Sequence, residues 1–324
     1  MSPQRKLAAR GGIDLGGTKI QAVVVDGRST VRGEARRPTP TSGGPEDVGE
    51  QMAVALGEAA QSAGIDPSGL LGVGVGSPGE VDGRTGSVSQ ARNLPGWAET
   101  FELGPWLRRR LGTTVKVGND VQVATEAEFH LGAGRPYRSL LGVFWGTGVG
   151  GGIILGGRPW LGRGAAGEIG HTVVKRGGAR CPCGRRGCLE AYAGRAAMEA
   201  KARKEHDAGR KTDLFKLMQK HERDRLTSGI WERALDKEDN LAVELIGRAV
   251  EALGTGIASA INLLDVEAVI IGGGIGVRLG DPYAQRIREA MMPHLFNDAT
   301  PPAVHVASLG DLGGAIGAAL LVKR

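Results

Sequence analysis

The stretch Gly11-Gly-Ile-Asp-Leu-Gly-Gly-Thr-Lys-Ile-Gln-Ala-Val-Val-Val-Asp26 contains two apolar runs separated by a glycine turn. Apolar, β-branched runs on both sides of such a turn predict a β-hairpin, and a third strand near Ser29–Arg36 would complete a meander. The pattern returns where Leu140–Trp145 leads through Gly146–Gly152 into Ile153–Leu155. Two copies of one strand–turn–strand unit predict two related halves.

Strands and helices alternate along the rest of the chain, which indicates the α/β class. Helical spacing and start or stop signals predict helices at Pro45–Ala63, from Asn119-Asp120 to about His130, at Asn240–Leu264, near Pro282–Met292 and at Gly313–Leu320. Short apolar runs predict strands at Leu70–Gly76, Thr114–Val117, Val266–Ile271 and Val304–Ala307.

The composition excludes fibrous and disordered proteins. Glycine accounts for 55 of 324 residues, more than twice the share of roughly 7% in average proteins. Many of these glycines stand in tight groups beside apolar runs, as loops do and collagen does not. The 41% of hydrophobic residues is enough for a sizeable buried core.

Charge and hydropathy argue against nucleic-acid and membrane partners. The net charge of +6 is spread thinly, and the longest purely basic run, Arg108–Arg110, is interpreted as a solvated helix end. The uncharged run Ser139–Gly157 has eight glycines in 19 residues, too many for a membrane helix. Met1–Arg10 lacks the apolar stretch of a signal peptide, so we expect a cytoplasmic protein.

Glycines directly follow apolar strands at Gly16-Gly17-Thr18, Gly146–Gly152 and Gly272–Gly274. Glycine lets the backbone approach a ligand closely, and consecutive N–H groups can point at one anion. Any one of these loops alone could be a simple hairpin turn, but three together, with Asp14 before the first, favour a phosphate site. None contains the Walker pattern of Gly, four residues and Gly-Lys-Ser/Thr, and none has the Rossmann layout, because the loops are predicted to join strands. Asp14 would hold Mg²⁺ or its water shell, unless it is only a turn residue.

Four potential metal ligands follow the pattern His-x9-Cys-x-Cys-x4-Cys, namely His171, Cys181, Cys183 and Cys188. An odd, clustered set of cysteines argues against a disulfide framework and for a reducing compartment. Three thiolates and one imidazole match a closed, tetrahedral Zn²⁺ site, which leaves no open position for catalysis. The metal is therefore expected to be structural and to fix Glu168 on one side and Glu190 on the other.

Phosphoryl transfer to a hydroxyl needs an aspartate within hydrogen-bond reach of the attacking O–H group. Asp120, at a predicted strand-to-helix junction, is the candidate, although Asn119 or Asp120 could instead cap the helix. Polar residues at loops or element ends supply the acceptors and amides that a sugar needs; these are Asn93, Asn119, Glu168, His171 and Glu190.

Five motifs together resemble the ROK family of repressors and sugar kinases, in particular its bacterial ATP-dependent glucokinases. They are Asp14-Leu-Gly-Gly-Thr-Lys19, Gly118-Asn-Asp120, Gly146-Thr-Gly-Val-Gly-Gly151, Gly167-Glu-Ile-Gly-His171 and Cys181-Pro-Cys-Gly-Arg-Arg-Gly-Cys188-Leu-Glu190. The resemblance extends from about Gly11 to Leu321. It implies an actin-like fold of the ribonuclease H and hexokinase type, with two α/β domains and a central cleft for ATP and hexose. The domains would be 1–118 with 311–324, and 119–310 with the zinc loop 171–188.

The resemblance also implies roles for single residues. Asp120 would take the proton from O6 of the sugar, and His171 would use one nitrogen for zinc and the other for the sugar. The implied sugar contacts are Gly79, Asn93, Asn119, Asp120, Glu168, His171 and Glu190. The implied nucleotide contacts are Asp14, Gly16, Gly17, Thr18, Lys19, Thr147, Gly148 and Gly273.

The resulting hypothesis is a glycolytic glucokinase that uses ATP with Mg²⁺, contains structural Zn²⁺ and forms a homodimer or homotetramer. The competing hypotheses are a kinase for fructose, mannose, allose or an N-acetylhexosamine, or a glucokinase that uses polyphosphate. A sugar-responsive repressor is disfavoured, because repressors of the family carry an N-terminal helix-turn-helix and about ten residues precede the first predicted strand here. A purely sugar-binding module is disfavoured by the presence of Asp120 together with the phosphate loops.

Overall fold

The computed structural model describes residues 9–91 and 94–323. In chain order its first elements are β1 (Arg10–Leu15), β2 (Lys19–Val25), β3 (Val31–Pro38), α1 (Pro45–Ser62), β4 (Val73–Ser77), β5 (Glu80–Asp82), β6 (Ser87–Ser89), α2 (Leu103–Leu111), β7 (Val115–Asn119) and α3 (Asp120–Leu131). The later elements are β8 (Leu140–Trp145), β9 (Val149–Leu155), β10 (Arg158–Pro159), α4 (Glu190–Ala193), α5 (Arg195–Asp207), α6 (Leu214–Lys220), α7 (Ser228–Asp236), α8 (Asn240–Leu264), β11 (Ala268–Gly272), α9 (Gly273–Met291), β12 (Ala303–Val306) and α10 (Gly313–Leu320). Short 3₁₀ turns lie at Pro67–Gly69, Ile169–His171, Met292–His294 and Gly310–Leu312.

The chain divides into two compact units. The first comprises the described residues up to Gly132 together with Pro159–Ala166 and those from Ser308 onward, and the second comprises Ala133–Arg158 and Gly167–Ala307. The sequence-based division placed α3 in the second domain. The structure groups it with the first, because α3 packs against α10 and β4 of that unit.

The first unit contains a five-stranded sheet in the order β3-β2-β1-β4-β7. The predicted hairpin and meander are present, since β2 pairs antiparallel with both β1 and β3. Strands β1, β4 and β7 are parallel, and their carboxyl ends therefore meet at one edge. In this register Asp14 stands opposite Gly76, and Ser77 stands opposite Asn119.

Helices cover both faces of this sheet. Helices α1 and α2 bury one face in the main core, while α10 packs on the other face against Val23 and Val25. Gly12 of β1 and Gly74 of β4 make this second packing possible, because a Cβ at either position would collide with the α10 backbone. These two glycines are required so that α10 can pack closely against the sheet.

The second unit repeats the arrangement with a sheet in the order β10-β9-β8-β11-β12. Strand β9 pairs antiparallel with β8, while β8, β11 and β12 are parallel. The two sheets thus share one strand order, which agrees with the two related halves that the repeated sequence pattern predicted. Helices α8 and α9 pack together, and the crossing is so close that a Cβ on Gly254 would lie 2.6 Å from the carbonyl carbon of Ala290.

One loop prediction was wrong. Gly272–Gly274 does not join two strands but opens α9, whose first turn buries Ile275 and Gly276. Gly273 has φ +78°, and a Cβ there would lie 2.5 Å from the main-chain oxygen of Trp145. Only glycine combines this left-handed backbone with such a close approach to β8. The helix then breaks at Gly280, which has φ +64°, before Pro282.

Candidate functional site

The first unit brings predicted site residues together at the carboxyl edge of its sheet. Asp14 is next to last in β1, Gly79 follows β4, and Asn119 ends β7 directly before Asp120 opens α3. Gly79 has φ +91°, and a Cβ there would lie 2.5 Å from the main-chain oxygen of Ser89, so the turn after β4 requires glycine. The predicted sugar contact Asn93 lies outside the described residues.

Asn119 provides the side-chain cap of α3. Its Oδ1 accepts hydrogen bonds from the main-chain N–H groups of Val121 at 3.1 Å and Gln122 at 3.0 Å, the arrangement of an N-cap residue. Oδ1 of Asp120 also accepts from the Val121 N–H at 2.9 Å. Asn119 thus binds the N–H groups of both Val121 and Gln122, which identifies it as the cap residue of the two that the sequence offered. Because Oδ1 of Asn119 accepts both of these bonds, the amide nitrogen is the other polar group of this side chain, and it can only donate.

The predicted phosphate turn between β1 and β2 is tight and anchored. The Gly16 N–H donates to the Lys19 carbonyl at 2.9 Å, and the Thr39 hydroxyl donates to the Gly16 carbonyl at 2.7 Å. Thr18, at the tip of the turn, is exposed. The ammonium group of Lys19 lies 3.4 Å from Asp311, which the sequence analysis did not single out. No local signal marks Asp311, since the packing of α10 brings it to this edge.

The Asp14 carboxylate is half-buried beside this turn. Burial raises its pKa to about 6, with a smaller downward influence from Lys19 and an upward one from Asp311. A Cβ on Gly314 would lie 2.7 Å from its Oδ2, so the carboxylate sits against the start of α10. Within the described residues no hydrogen bond reaches this carboxylate. Mg²⁺ prefers hard oxygen ligands, and a carboxylate without hydrogen bonds from the described residues, next to a glycine turn, is such a ligand.

The second unit contains the other predicted phosphate turn, between β8 and β9. The Gly146 N–H donates to the Gly148 carbonyl at 3.0 Å, which exposes Thr147 at the tip. The start of α5 is attached to this turn, because the N–H groups of Arg195 and Ala196 donate to the carbonyls of Gly146 and Thr147 at 3.1 Å each.

Two further elements lie next to the β8–β9 turn. Gly273, at the start of α9, packs on Trp145, the residue that precedes the turn. The guanidinium of Arg195 donates to the Thr147 hydroxyl at 2.9 Å. Arg195 could not be singled out from the sequence, because it simply follows Gly194 in a charged stretch with ordinary helix-forming composition.

The four predicted metal ligands converge. Their donor atoms all lie within 4.8 Å of one another, with 3.7 Å between the sulfurs of Cys183 and Cys188 and 3.8 Å between Sγ of Cys181 and Nδ1 of His171. Ligand atoms about 2.3 Å from a tetrahedral metal are about 3.8 Å apart, so this donor set fits Zn²⁺. The soft thiolates favour the same metal.

The thiols differ in how readily they ionise. Burial raises the pKa of Cys181 to about 12 and also raises the pKa of Cys188. A hydrogen bond from the Arg185 main-chain N–H lowers the pKa of Cys183. Because a metal binds thiolates, the buried thiols must release their protons when a cation arrives.

The metal ligands are joined to the predicted sugar contacts through His171 and Cys181. Nδ1 of His171 faces Cys181, while its Nε2 lies 4.0 Å from the exposed carboxylate of Glu168. Glu190, which follows the last cysteine, lies 3.9 Å from the Cys181 sulfur through Oε1 and accepts a hydrogen bond from the Val149 N–H through Oε2 at 3.0 Å. A metal on Nδ1 would leave Nε2 as the N–H donor on the Glu168 side.

Comparisons with known proteins identify the family to which the chain is similar. The model of the ROK family matches residues 10–324. The chain is 33% identical to a glucokinase of Halalkalibacterium halodurans, over 97% of this chain and 94% of that protein. It is 32% identical to an N-acetylmannosamine kinase of Haemophilus influenzae, over 96% of this chain and 94% of that protein.

A solved structure has the same fold. A ROK family glucokinase from Streptomyces griseus, in complex with glucose and AMPPNP, superposes with a TM-score of 0.83 and 31% identity, over 97% of this chain and 98% of that one. This match and the two sheets of shared strand order confirm the predicted α/β, actin-like ATPase fold. Within the described residues no helix is both long and apolar enough to cross a membrane.

Proposed function

The chain belongs to the ROK family, and on that premise we propose that it is an ATP-dependent hexokinase that phosphorylates glucose at O6. Similarity over nearly the whole chain to proteins named glucokinase supports the activity and the sugar. The observation that carries the proposal in this chain is the start of α3, where Asn119 supplies the helix cap and Asp120 stands directly beside it. Because Asn119 caps the helix, capping does not have to be the role of the Asp120 carboxylate.

In this proposal Asp120 is the general base. Its carboxylate accepts the proton of the sugar O6–H group while O6 attacks the γ-phosphorus of ATP and the bond to the β-phosphate oxygen breaks. The products are glucose 6-phosphate and ADP, and the proton leaves from Asp120 to solvent. Such a base contributes about 10²–10⁴-fold to the rate.

The proposed sugar contacts divide into acceptors and donors. Glu168 and Glu190 offer carboxylate oxygens to ring hydroxyls, while Nε2 of His171 and the amide nitrogen of Asn119 offer N–H groups. Gly79 and Asn93 complete the proposed set. Zn²⁺ on His171, Cys181, Cys183 and Cys188 would be structural, because four protein ligands leave it no open position, and it would fix the His171 ring for the sugar.

The proposed contacts to the phosphoryl donor, ATP, lie on the glycine turns. Asp14 would hold Mg²⁺ or its water shell, and Lys19 would neutralise phosphate charge. The other proposed contacts are Gly16, Gly17, Thr18, Thr147, Gly148 and Gly273. Turn amides and hydroxyls at these positions suit an anionic chain, since backbone N–H groups and side-chain donors can converge on one phosphate.

A second candidate is a kinase for an N-acetylhexosamine, because relatives named N-acetylmannosamine kinase and N-acetylgalactosamine kinase match almost as well as the glucokinases. The sequence motifs are also compatible with a kinase for fructose, mannose or allose, and with a glucokinase that uses polyphosphate. The sugar differs among these candidates, but the roles of Asp120 and of the donor turns do not.

The test is a coupled assay of ADP release by the purified protein. Glucose, mannose, fructose, allose, N-acetylglucosamine and N-acetylmannosamine are compared with MgATP as donor, and glucose 6-phosphate formation is measured with polyphosphate as donor. We expect the highest kcat/KM for glucose with MgATP. A higher kcat/KM for an N-acetylated sugar would favour the second candidate, and no turnover of any sugar would refute a hexokinase. We also propose a cytoplasmic homodimer or homotetramer, whose mass light scattering measures.

A further inference from the structure

We propose that Arg195 binds the phosphate chain of the phosphoryl donor. This inference rests on the proposed function and adds to it a residue that neither the motifs nor the family resemblance indicated. Arg195 is the first residue of α5, and its guanidinium is half-buried at the β8–β9 turn.

The hydrogen bonds of the guanidinium go to neutral acceptors. Within the described part of the chain it donates to the Leu226 main-chain oxygen at 3.1 Å through Nη1 and to the Thr147 hydroxyl at 2.9 Å through Nη2. A guanidinium has more N–H donors than these two bonds use. A partly buried guanidinium whose hydrogen bonds go to neutral acceptors has N–H donors left for an anion.

The neighbouring acids do not fill that capacity. Glu199 is engaged by Arg203 through Oε1 and by the Leu226 N–H through Oε2. Asp224 lies 3.5 Å from the guanidinium of Arg225. Burial and the positive charge of Arg225 lower the pKa of Arg195, and the smaller upward influences of Glu199 and Asp224 do not offset them. The guanidinium stays charged at any physiological pH, so the surroundings favour a negative ligand.

The contact with Thr147 shows how such a ligand would be held. Because the Thr147 hydroxyl accepts from Arg195, its own hydrogen is left to be donated outward from the exposed tip of the turn. Nη2 and the threonine hydroxyl then present adjacent donors. The first N–H groups of α5 are already bound to Gly146 and Thr147 carbonyls, so the side chain and not the helix end makes the contact.

This chemistry suits phosphate oxygens, to which planar guanidinium groups bind in a forked, charge-assisted geometry. Two ligands could supply the phosphate chain, namely a nucleoside triphosphate with Mg²⁺ or inorganic polyphosphate. Both present the same oxygens, and the experiment distinguishes them.

The test compares Arg195→Gln with wild type by calorimetric titration of MgATP, ADP, AMP and adenosine. We expect Arg195→Gln to weaken MgATP binding about 10- to 100-fold, to weaken AMP binding less, and to leave adenosine binding unchanged. The salt dependence of MgATP binding should also fall in the variant, and Arg195→Lys should restore part of the affinity. The control is Arg233→Gln on α7, which removes an exposed arginine from another helix and should bind like wild type.

Arg195 could instead only stabilise the β8–β9 turn through its bond to Thr147. A double-mutant cycle with Thr147→Val distinguishes this structural role from phosphate binding. If Arg195 contacts phosphate, Arg195→Gln still weakens MgATP binding in the Thr147→Val background. No further loss in that background, or an equal loss for adenosine and MgATP, overturns the proposal. If wild-type protein binds no MgATP and phosphorylates no sugar, the proposed function is overturned as well. If wild-type protein is active and Arg195→Gln binds MgATP equally well, only the inference about Arg195 is overturned.

Polyphosphate is titrated separately against wild type and Arg195→Gln. If polyphosphate binds wild type and binds Arg195→Gln more weakly, Arg195 contacts a phosphate chain that carries no nucleoside. Binding of MgATP alone, again weakened in the variant, supports the proposal with the nucleotide as its source.

Discussion

The Glu190 carboxylate occupies the space that a side chain on Gly148 would need, and it accepts the Val149 N–H through Oε2 at 3.0 Å. The same carboxylate lies 3.9 Å from the sulfur of Cys181 through Oε1. One side chain therefore connects the cysteine loop with the β8–β9 turn. A disturbance of the turn should consequently reach the proposed sugar contact, although the residues are about forty positions apart in the chain.

Gly148→Ala tests this relationship. The new Cβ would force the Glu190 carboxylate away and break its bond to the Val149 N–H, so we expect kcat/KM to fall by about tenfold, as for loss of a charged hydrogen bond. The thermal stability should change little, since the far end of a flexible side chain can move. Gly146→Ala is the matched control, because its Cβ would have no heavy atom nearer than 3.9 Å. Equal activities of the two variants would contradict the coupling.

Asp120→Asn should abolish the proposed base and keep the helix. We expect kcat to fall about 10²–10⁴-fold while the dissociation constant of the hexose stays within about tenfold. Steady-state kinetics and calorimetric titration of the sugar measure these two effects. Asn119→Ala is the complementary variant, which should lower the free energy of unfolding by about 1 kcal/mol through loss of the cap. Normal turnover by Asp120→Asn would refute the assignment.

Cys183→Ser should remove the metal. With three ligands left, we expect zinc affinity to fall at least about 100-fold, and sugar binding to weaken because His171 loses its fixed orientation. Metal analysis of the purified variants and titration of the sugar measure both effects. Arg185→Gln, in the same loop but with all four ligands kept, serves as control and should retain zinc. Wild-type protein purified without any zinc would show that the donor set holds another metal or none.

The pH dependence of stability should carry a signature of Asp14. Burial raises its pKa from 3.8 to about 6, so the folded protein binds this proton more tightly than the unfolded chain does. Its contribution to the free energy of unfolding is therefore complete below about pH 4 and is lost as the pH rises through 6. Asp14→Asn lacks this dependence.

We expect the stability of Asp14→Asn relative to wild type to increase from pH 4 to pH 8, by on the order of 2 kcal/mol. Thermal unfolding without metal or nucleotide measures the difference. Asp236→Asn, at an exposed position on α7, should follow the wild-type profile. A constant difference between Asp14→Asn and wild type over this range would mean that the carboxyl group is not buried as described. Below pH 6, MgATP binding by wild type should also weaken, because a proton competes with Mg²⁺ for Asp14.

Much of the site could be predicted because its signals are local. The metal ligands stand within 18 residues of one another, and the hairpin is encoded by apolar runs around Gly16 and Gly17. Helix α8 begins and ends where the spacing indicated, at Asn240 and Leu264, since thirteen buried residues repeat along one amphipathic helix. Patterns of this kind act through neighbours in the sequence, and so they can be recognised without the fold.

Other features depended on residues that are distant in the chain. The sequence predicted that either Asn119 or Asp120 caps α3, but only the backbone geometry at the end of β7 decided that Asn119 binds both Val121 and Gln122. Gly272–Gly274 has the composition of a hairpin turn, yet it opens α9 because the chain must pass closely over Trp145. Composition could not distinguish the two outcomes.

The sequence by itself thus determined the α/β class, the repeated hairpins and the set of candidate metal ligands, because each is encoded in short-range spacing. Tertiary structure decided which charges surround the glycine turns. Asp311 meets Lys19 only because α10 returns to the first sheet, and Arg195 meets Thr147 only because α5 starts against the β8–β9 turn. Electrostatic contacts of this kind are fixed by packing, since they join residues that no local pattern relates.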